Sequence, residues 1–324
     1  METIEKVLIV IVQLDSNDIY MKRDDIGKRY FAFYGEEIDA AISDKCLFLL
    51  IQDKLVTEKG DDIVPTAAGI QQGLEAHVRY YFTKGIKASV KSNADRQYKE
   101  NKNRGVVKSD SIIDEEQLEF ILTELRHCRR AIVDLGCGTG DLAACIQRKL
   151  GSKVKGLDNS HEMISIARDS HPNMNWEVGD IENYDDDTEA SAFLLIDSIY
   201  FVKEKKEVLR NLYSKLECGG KIVLTYSSYT QAKNGNDHLA AEKSSIGEIL
   251  KSLSLAYEYK EFTRNEILLW ESRQSLLEAL RIQYTNEHNE YLYYDKKNEG
   301  DSRLRLLRKG MGKRYIYVIR KTCT

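Results

Sequence analysis

The chain has 324 residues, of which 42% are hydrophobic and 31% charged, and its 48 basic and 52 acidic residues give a formal net charge of −4 at pH 7. This near balance argues against a dedicated nucleic-acid-binding protein, which usually carries an excess of positive charge. The apolar run at residues 7–12 is too short to span a membrane, and acidic residues precede it. We therefore expect a cytoplasmic protein with one domain of about 200 residues and a smaller one.

Cysteine spacing indicates neither a metal site nor a disulfide framework. The chain has six cysteines without a C-x-x-C pair, and they stand at positions 46, 128, 137, 145, 218 and 323. Both kinds of site require closer or more regular spacing. Cys137 lies inside a glycine-rich turn that needs a small side chain, so we expect it to pack there rather than to react.

Residues 1–75 are expected to form a small, mainly helical domain. Apolar residues of the first fifteen positions fall on one helical face, a second helical stretch ends near residue 51, and residues 53–66 read as a hairpin around a Gly-Asp-Asp turn. This order resembles a winged-helix domain. The helix at residues 43–51 is too apolar and too poor in arginine to read DNA bases, which favours a role in homodimerisation or in covering a site.

Residues 76–112 are expected to form a basic connector that precedes a larger domain at residues 113–324. Nine lysines and arginines up to position 108 face only three acidic residues, and aromatic residues lie between them. The simpler interpretation is a solvated helix, because exposed charges are the rule at protein surfaces. The alternative is a lid that holds an anionic group of a cofactor or substrate, with Tyr98 as its cofactor-binding residue.

The larger domain contains a glycine-rich turn near its start. Residues 131–140 read as a buried strand that ends at Asp134, a tight turn, and the start of a helix. Glycines let a backbone pass close to a ligand, and such turns bind nucleotides at the carboxyl edge of parallel sheets. Asp141 stands where a dinucleotide-binding turn has its third glycine, and no lysine precedes Thr139 as a phosphate-binding loop requires. The pattern D-x-G-x-G-x-G instead resembles motif I of class I S-adenosylmethionine-dependent methyltransferases.

Four further phrases follow in the order that this family requires. A second strand ends at Asp158, eighteen residues past Gly140, where a carboxylate can accept both ribose hydroxyls. A third strand precedes residues 180 and 181. A fourth strand covers residues 192–201, and a Gly-Gly turn at residues 219–220 leads into a fifth. The resemblance therefore implies an α/β fold, a Rossmann-like doubly wound sheet of the class I methyltransferase type.

The resemblance also implies a set of residues that bind S-adenosylmethionine, with S-adenosylhomocysteine as the product. Met163 would lie against the adenine ring, the Asp180 side chain would accept the adenine amino group, and the Ile181 N–H would bind a ring nitrogen. The expected cofactor-binding residues are Asp134, Gly136, Cys137, Gly138, Gly140, Asp158, Asn159, Met163, Asp180, Ile181 and Asp197, together with Tyr98.

Catalysis in this family needs alignment more than activation, because the sulfonium already activates the methyl group. A base is required only where the acceptor must lose a proton, and no metal is implied. Tyr200, at the end of the fourth strand, is the candidate catalytic residue. Its hydroxyl can bond the acceptor, and its ring can face the cationic sulfur.

The residues after the fourth strand bear on the acceptor. They read Asp197-Ser198-Ile199-Tyr200, which lacks the Asn/Asp-Pro-Pro-Tyr phrase of nucleobase amino methyltransferases and any cysteine for cytosine C5 chemistry. We therefore expect a small-molecule acceptor with a nitrogen or oxygen nucleophile, and anionic molecules are among the candidates. Three alternatives stay open: a nucleic-acid-directed methyltransferase that uses the basic regions, a cofactor-sensing winged-helix regulator, and an enzyme that uses the cofactor for cyclisation or aminopropyl transfer.

Residues 228–324 are expected to add helices and a closing strand at residues 314–319. The phrases at residues 287–293 and 314–317 resemble a branch of uncharacterised bacterial methyltransferases. The aromatic residues here and near strand ends either line an acceptor pocket or simply pack, since tyrosine is commonly half-buried. These residues are Tyr200, Tyr226, His238, His288, Tyr291 and Tyr293.

Overall fold

The computed structural model describes most of the chain, namely residues 2–15, 21–34, 36–80, 84–101, 111–186, 189–230 and 239–323. Two compact units are present: residues 1–98 with 273–303, and residues 99–272 with 304–324. This division departs from the boundaries drawn from sequence, because residues 273–303 group with the N-terminal residues. Within the described ranges, no helix combines the length and the apolar character needed to cross a membrane.

The N-terminal part of the first unit is mainly helical and carries a small antiparallel sheet. Strands β1, β3 and β2 are adjacent in that order, and Lys59 pairs with Asp62 across the hairpin turn. The predicted hairpin is therefore confirmed, whereas the winged-helix assignment stays a prediction. The elements are α1 (Thr3–Asp15), β1 (Met21–Lys22), α2 (Ile26–Tyr34), α3 (Ala40–Gln52), β2 (Val56–Lys59), β3 (Asp62–Pro65), α4 (Ala67–Tyr80), α5 (Ile86–Lys91) and α6 (Asn93–Asn101).

The second unit contains a seven-stranded sheet. Its elements are α7 (Glu115–Leu125), β4 (Ile132–Leu135), α8 (Asp141–Leu150), β5 (Val154–Asp158), α9 (His161–Ser170), β6 (Asn175–Val178), β7 (Ala190–Leu195), α10 (Lys205–Ser214), β8 (Leu216–Tyr229), α11 (Ser245–Ser252), β9 (Tyr257–Glu261) and β10 (Gly312–Arg320). Two long helices, α12 (Thr263–Asn286) and α13 (Glu290–Arg308), lie between β9 and β10. The boundary between the two compact units falls inside each of these helices.

The strand order confirms the predicted doubly wound sheet. The strands run β6-β5-β4-β7-β8-β10-β9, and β10 is antiparallel to both of its neighbours while the pairs from β6 to β8 are parallel. Every residue of β4 and β7 is buried, as expected for central parallel strands covered on both faces. The order reverses between β4 and β7, and such a switch point leaves a crevice outside the carboxyl ends of the strands.

The pairing of β10 with β8 corrects the expectation that the chain lacks disulfides. Gly312 pairs with Tyr229 at one end of the ladder, and Arg320 pairs with Lys221 at the other. This register carries Cys323 to Cys218, and the two form a disulfide with Cα atoms 5.2 Å apart. The prediction from cysteine spacing was wrong because the antiparallel ladder joins residues 105 positions apart.

Candidate active site

The turn between β4 and α8 is held tightly against the end of β5. The N–H groups of Gly136 and Cys137 donate to the Leu157 carbonyl at 2.7 and 3.0 Å. Gly136 has a φ of +80°, and a Cβ built on it would lie 2.4 Å from the Cβ of Ser198. Glycine is therefore required at this position by both conformation and space.

The middle of the turn is open. Gly138 has a φ of +55°, and a Cβ built on it would meet no described atom within 4 Å. Gly140 ends the turn, precedes α8 and lies against the Trp176 ring. A ligand can thus approach the backbone at Gly138, whereas protein side chains already fill the space beside Gly140.

Asp158 joins the turn to the end of β5. Its Oδ2 accepts the Gly138 N–H at 2.8 Å, and its Oδ1 accepts the Ser160 N–H at 2.9 Å. Burial raises the pKa of Asp158, and these two hydrogen bonds oppose the rise. Each oxygen keeps a second lone pair, so the carboxylate can still accept hydroxyl groups of a ligand.

Asp134 is a buried carboxyl at the base of the turn. The residue is 2% exposed, and its Oδ2 has no hydrogen-bond partner among the described residues. Burial, and then the nearby charge of Asp158, raise the pKa of Asp134 to about 7. An unpaired buried carboxylate is costly, and a cationic ligand group would remove that cost. Burial likewise raises the pKa of the Cys137 thiol, which leaves it a weak nucleophile.

The residues after β5 form the start of α9. Ser160 is the capping residue, and its hydroxyl oxygen accepts the Met163 N–H at 3.3 Å. Met163 is buried at 8% exposure, while Asn159 is exposed. The serine thus provides the cap of α9, and Asn159 does not.

The residues after β6 return towards the glycine turn. Asp180 is exposed, and its two oxygens accept the Glu182 N–H at 3.0 Å and the Asn183 side-chain N–H at 3.3 Å. The Ile181 side chain reaches the turn, since its Cδ1 lies 3.6 Å from the position of a Cβ on Gly136. The structure therefore brings Ile181, Gly136 and Asp158 to one edge of the sheet.

Asp197 follows β7 and is bonded to protein groups. It forms an ion pair with Arg314 at 2.9 Å and accepts the Ile112 N–H at 2.7 Å and the Thr225 hydroxyl at 2.9 Å. Burial acts to raise the pKa of Asp197, but the Arg314 charge and these hydrogen bonds lower it overall. Asp197 was predicted to bind the cofactor, but in the structure both of its carboxylate oxygens are bonded to other described residues.

Tyr200 lies in a single 3₁₀ turn, Ile199–Phe201, rather than in the strand. Its side chain is 38% exposed, and its ring stacks on that of Tyr226 with centroids 5.3 Å apart. The Ser227 N–H donates to its hydroxyl. Burial of the hydroxyl, followed by the nearby charge of Asp197, raises the pKa of Tyr200, so the hydroxyl stays protonated at neutral pH.

Several of the other predicted residues belong to the first unit. Tyr98 is 3% exposed and has the Lys296 ammonium 5.5 Å from its ring centroid. Tyr291 and Tyr293 are buried in the core of the same unit, and His288 has a φ of +55° just before them. His238, like the aromatic residues Tyr81 and Phe82 and the basic residues Lys102, Arg104 and Lys108 of the connector, lies outside the described residues.

Comparisons with known proteins agree with this geometry. A family model described as a methyltransferase domain matches residues 132–220. Malonyl-[acyl-carrier protein] O-methyltransferase 1 of Ilyobacter polytropus is 31% identical over 98 residues, which cover 29% of this chain and 37% of the relative. Trans-aconitate 2-methyltransferase of Delftia acidovorans is 32% identical over 107 residues, which cover 32% of this chain and 38% of the relative.

A solved structure shares the fold. The phosphoethanolamine N-methyltransferase 2 of Haemonchus contortus, in complex with phosphomonomethylethanolamine and S-adenosylhomocysteine, aligns with a TM-score of 0.60 at 15% identity, covering 81% of this chain and 62% of that one. The family match thus assigns a methyltransferase domain to residues 132–220, and the solved structure shares the fold of this chain. This chain spans little more than a third of the length of the two curated relatives.

Two residues of the second unit had no role in the prediction from sequence. Ser198 packs against Gly136, and its hydroxyl donates to the Leu135 carbonyl at 2.7 Å. Arg314 stands in β10 and is 1% exposed. A small residue directly after a strand next to the glycine turn could have pointed to Ser198. An arginine inside an apolar closing strand could have pointed to Arg314.

Proposed function

We propose that this protein is an S-adenosylmethionine-dependent methyltransferase that acts on a small molecule with a nitrogen or oxygen nucleophile. The observation that carries the proposal is the open glycine turn with a carboxylate on either side of it in sequence. Gly138 leaves space that no described side chain fills, and Asp158 fixes the backbone at that point. Two methyltransferase relatives act, by their names, on malonyl-[acyl-carrier protein] and on trans-aconitate. The second of these substrates is a small molecule, which supports an acceptor of low molecular weight.

The residues of the turn fit a cationic nucleotide cofactor. Asp134 is buried with an oxygen that lacks a partner among the described residues, and a positive charge nearby would stabilise its ionised form. Gly136 is in tight contact with Ser198, which leaves no room for a side chain at position 136 and holds the backbone of the turn in place. The polar surface presented by Asp158 suits the hydroxyl groups of a ribose.

We assign the remaining contacts from the order of the strands. Asp158 would bind the ribose hydroxyls, Asp180 and Ile181 the adenine edge, and Met163 the adenine face. Asp134 would hold the cationic end of the cofactor. When bound, S-adenosylmethionine supplies a methyl group that its sulfonium has already activated, so the protein's main task is to align the acceptor.

We further propose that Tyr200 acts on the acceptor side. Its hydroxyl accepts the Ser227 N–H and keeps its own proton available for donation, because the pKa of Tyr200 is raised. A protonated hydroxyl can orient an acceptor lone pair but cannot serve as a base. We therefore assign Tyr200 an orienting role, and any proton released by the acceptor passes to another group.

Substitution at Gly138, with a matched control at Gly151, tests the proposal. Both glycines have positive φ, +55° and +69°, and neither would place a Cβ within 4 Å of a described atom. Alanine at either position should therefore lower the free energy of unfolding by a similar amount, about 1–2 kcal/mol. Calorimetric titration with S-adenosylhomocysteine should show binding to the wild type and Gly151→Ala, and at least a tenfold loss in Gly138→Ala. Equal affinity in both variants, or no binding to the wild type, would refute the site.

The nucleoside product tests the reaction class. A turnover mixture with S-adenosylmethionine and small carboxylic acids or amines should contain S-adenosylhomocysteine and a methylated acceptor. Methylthioadenosine as the nucleoside product would instead show that the aminocarboxypropyl chain of the cofactor, and not its methyl group, is transferred or cyclised. Turnover with nucleic acid, but not with small molecules, would contradict the proposed acceptor class.

A further inference from the structure

The guanidinium of Arg314 is saturated with hydrogen bonds. Its Nε donates to Gln117 Oε1 at 2.9 Å. Its Nη1 donates to Asp197 Oδ1 at 2.9 Å and to Ser227 Oγ at 3.2 Å. Its Nη2 donates to the Ile112 carbonyl at 2.8 Å and to Asp197 Oδ2 at 3.0 Å. A guanidinium has five N–H donors, and each of them is used here.

Both carboxylate oxygens of Asp197 are also hydrogen-bonded, and its backbone adopts a positive φ. Besides Arg314, its oxygens accept the Thr225 hydroxyl and the Ile112 N–H, and its own N–H donates to Thr225 Oγ1 at 2.7 Å. Its φ is +55°, a left-handed conformation that non-glycine residues rarely adopt. Such a conformation persists where surrounding contacts hold it, and the bonds to Arg314, Thr225 and Ile112 supply those contacts.

The left-handed residue sets the direction of the turn that follows β7. Ser198 comes next and packs against Gly136 of the glycine turn. Two residues later, the Tyr200 hydroxyl accepts the Ser227 N–H, and the side chain of Ser227 is bonded to Arg314. Arg314 therefore reaches the cofactor side of the turn through Asp197 and the acceptor side through Ser227.

We propose that Arg314, in the last strand, is a positioning residue that fixes the turn at residues 198–201 between the cofactor side and the acceptor side of the active site. It acts through Asp197 and Ser227. Its link to catalysis rests on the proposed function, whereas its control of the turn is a property of the ligand-free protein.

Stability alone does not explain this arrangement. A buried ion pair contributes little net stability compared with well-packed neutral residues, but loss of one partner leaves a costly buried charge. The single variant Arg314→Met should therefore be strongly destabilised. The double variant Arg314→Met/Asp197→Asn removes both charges of the ion pair, and asparagine tolerates the left-handed conformation, so it should recover part of the thermal stability that the single variant loses. The rest stays lost because the buried Glu266 carboxylate also faces the Arg314 charge.

Fluorine NMR of the full chain labelled with 3-fluorotyrosine gives a readout of the turn. The resonance that disappears in Tyr200→Phe belongs to Tyr200. In the folded double variant this resonance should move, because the turn that carries the Tyr200 ring loses its bonds to Arg314. Binding of S-adenosylhomocysteine should weaken about tenfold, which corresponds to about 1.4 kcal/mol.

A control and a second variant keep the test decisive. Arg320 lies on the same strand and pairs with Glu124 at 2.8 Å, and Arg320→Met should leave the Tyr200 resonance in place. Arg314→Lys keeps the charge but has only three donors, so it should still displace the resonance even if the double variant does not fold. An unmoved resonance in Arg314→Lys or in the folded double variant would overturn the proposal.

Failure of this inference can be told apart from failure of the proposed function. The NMR measurement needs neither cofactor nor acceptor, so it reports on the turn alone. If the wild type binds S-adenosylhomocysteine and the resonance is unmoved in the variants, the positioning role is wrong and the methyltransferase proposal stands. If the resonance moves but the wild type binds no cofactor, the turn is positioned as inferred and the proposed function fails.

Discussion

Asp158 and Gly138 are joined by a hydrogen bond of 2.8 Å from the backbone N–H to Oδ2. One carboxylate thus fixes the open point of the glycine turn and presents its remaining lone pairs beside it. The relationship couples the conformation of the turn to the residue expected to bind ribose. Loss of Asp158 should therefore affect cofactor binding both directly and through the turn.

We predict that Asp158→Ala reduces affinity for S-adenosylhomocysteine by about 1–3 kcal/mol, the usual cost of losing a charged hydrogen-bond acceptor. Calorimetric titration measures this loss. Asp169→Ala, on the exposed surface of α9, is the matched control and should bind like the wild type. Unchanged affinity in Asp158→Ala would remove this residue from the cofactor site.

Asp134 should set a pH dependence of stability. Its pKa is raised to about 7 in the folded protein, whereas an unfolded aspartate titrates near 3.9. The folded state therefore binds this proton more tightly, so the contribution of Asp134 to stability falls as pH rises from about 4 and reaches its lowest value above about 7. Asp134→Asn removes this penalty and should raise the free energy of unfolding at pH 8 by about 2–4 kcal/mol.

The same substitution should weaken cofactor binding, because it removes the anion that faces the cationic ligand. Urea unfolding at pH 5 and pH 8, together with calorimetric titration, measures the two effects. As a control, Asp169→Asn should change neither the free energy of unfolding at either pH nor the affinity for S-adenosylhomocysteine. If Asp134→Asn loses stability at pH 8, or gains affinity for the cofactor, the role assigned to the buried Asp134 carboxyl is contradicted.

Local sequence patterns predicted the glycine turn. They did not predict the hydrogen-bond network of Arg314 and Asp197, because its members are brought together only by strand pairing. The turn and Asp158 could be predicted because the apolar strands, the glycines and the acidic residues that specify them lie within a few positions of one another. The partners Arg314 and Asp197 are 117 positions apart, and only the antiparallel ladder of β10 on β8 brings them together. The same strand pairing brings together Cys218 and Cys323, whose disulfide the cysteine spacing did not indicate.

Tyr98 shows why a charge pattern was a weaker guide than strand order. The alternation of basic and aromatic residues favoured a solvated helix over a lid that binds cofactor. In the structure its ring packs in a core that holds Asp95, fully buried and paired with Lys296 at 3.1 Å. The Asp95 carboxylate also accepts the Tyr284 hydroxyl at 2.9 Å, and these partners come from α12 and α13, nearly 200 positions later. No local pattern marks such a contact.

Tyr200→Phe should reduce turnover by about tenfold or more while S-adenosylhomocysteine affinity changes less than threefold, since the hydroxyl is assigned to the acceptor. Steady-state kinetics with an identified acceptor, and calorimetry with S-adenosylhomocysteine, separate the two effects. Tyr259→Phe in β9 is a matched control, because that tyrosine is 42% exposed and its hydroxyl bonds a surface glutamate, Glu242. Equal losses of turnover and affinity in Tyr200→Phe would contradict a role on the acceptor side.

The disulfide between Cys218 and Cys323 should stabilise the closing strand. It links residues 105 positions apart, and a cross-link over a long loop typically contributes about 2–4 kcal/mol by restricting the unfolded chain. Cys323→Ser, or reduction of the wild type, should lower the free energy of unfolding by that amount, as measured by urea unfolding with and without reductant. Cys128→Ser, which removes a cysteine that stands outside the disulfide, should leave the effect of reductant intact. Alkylation of the unfolded, unreduced protein should modify the four free cysteines, and modification of all six would show that the cross-link does not form.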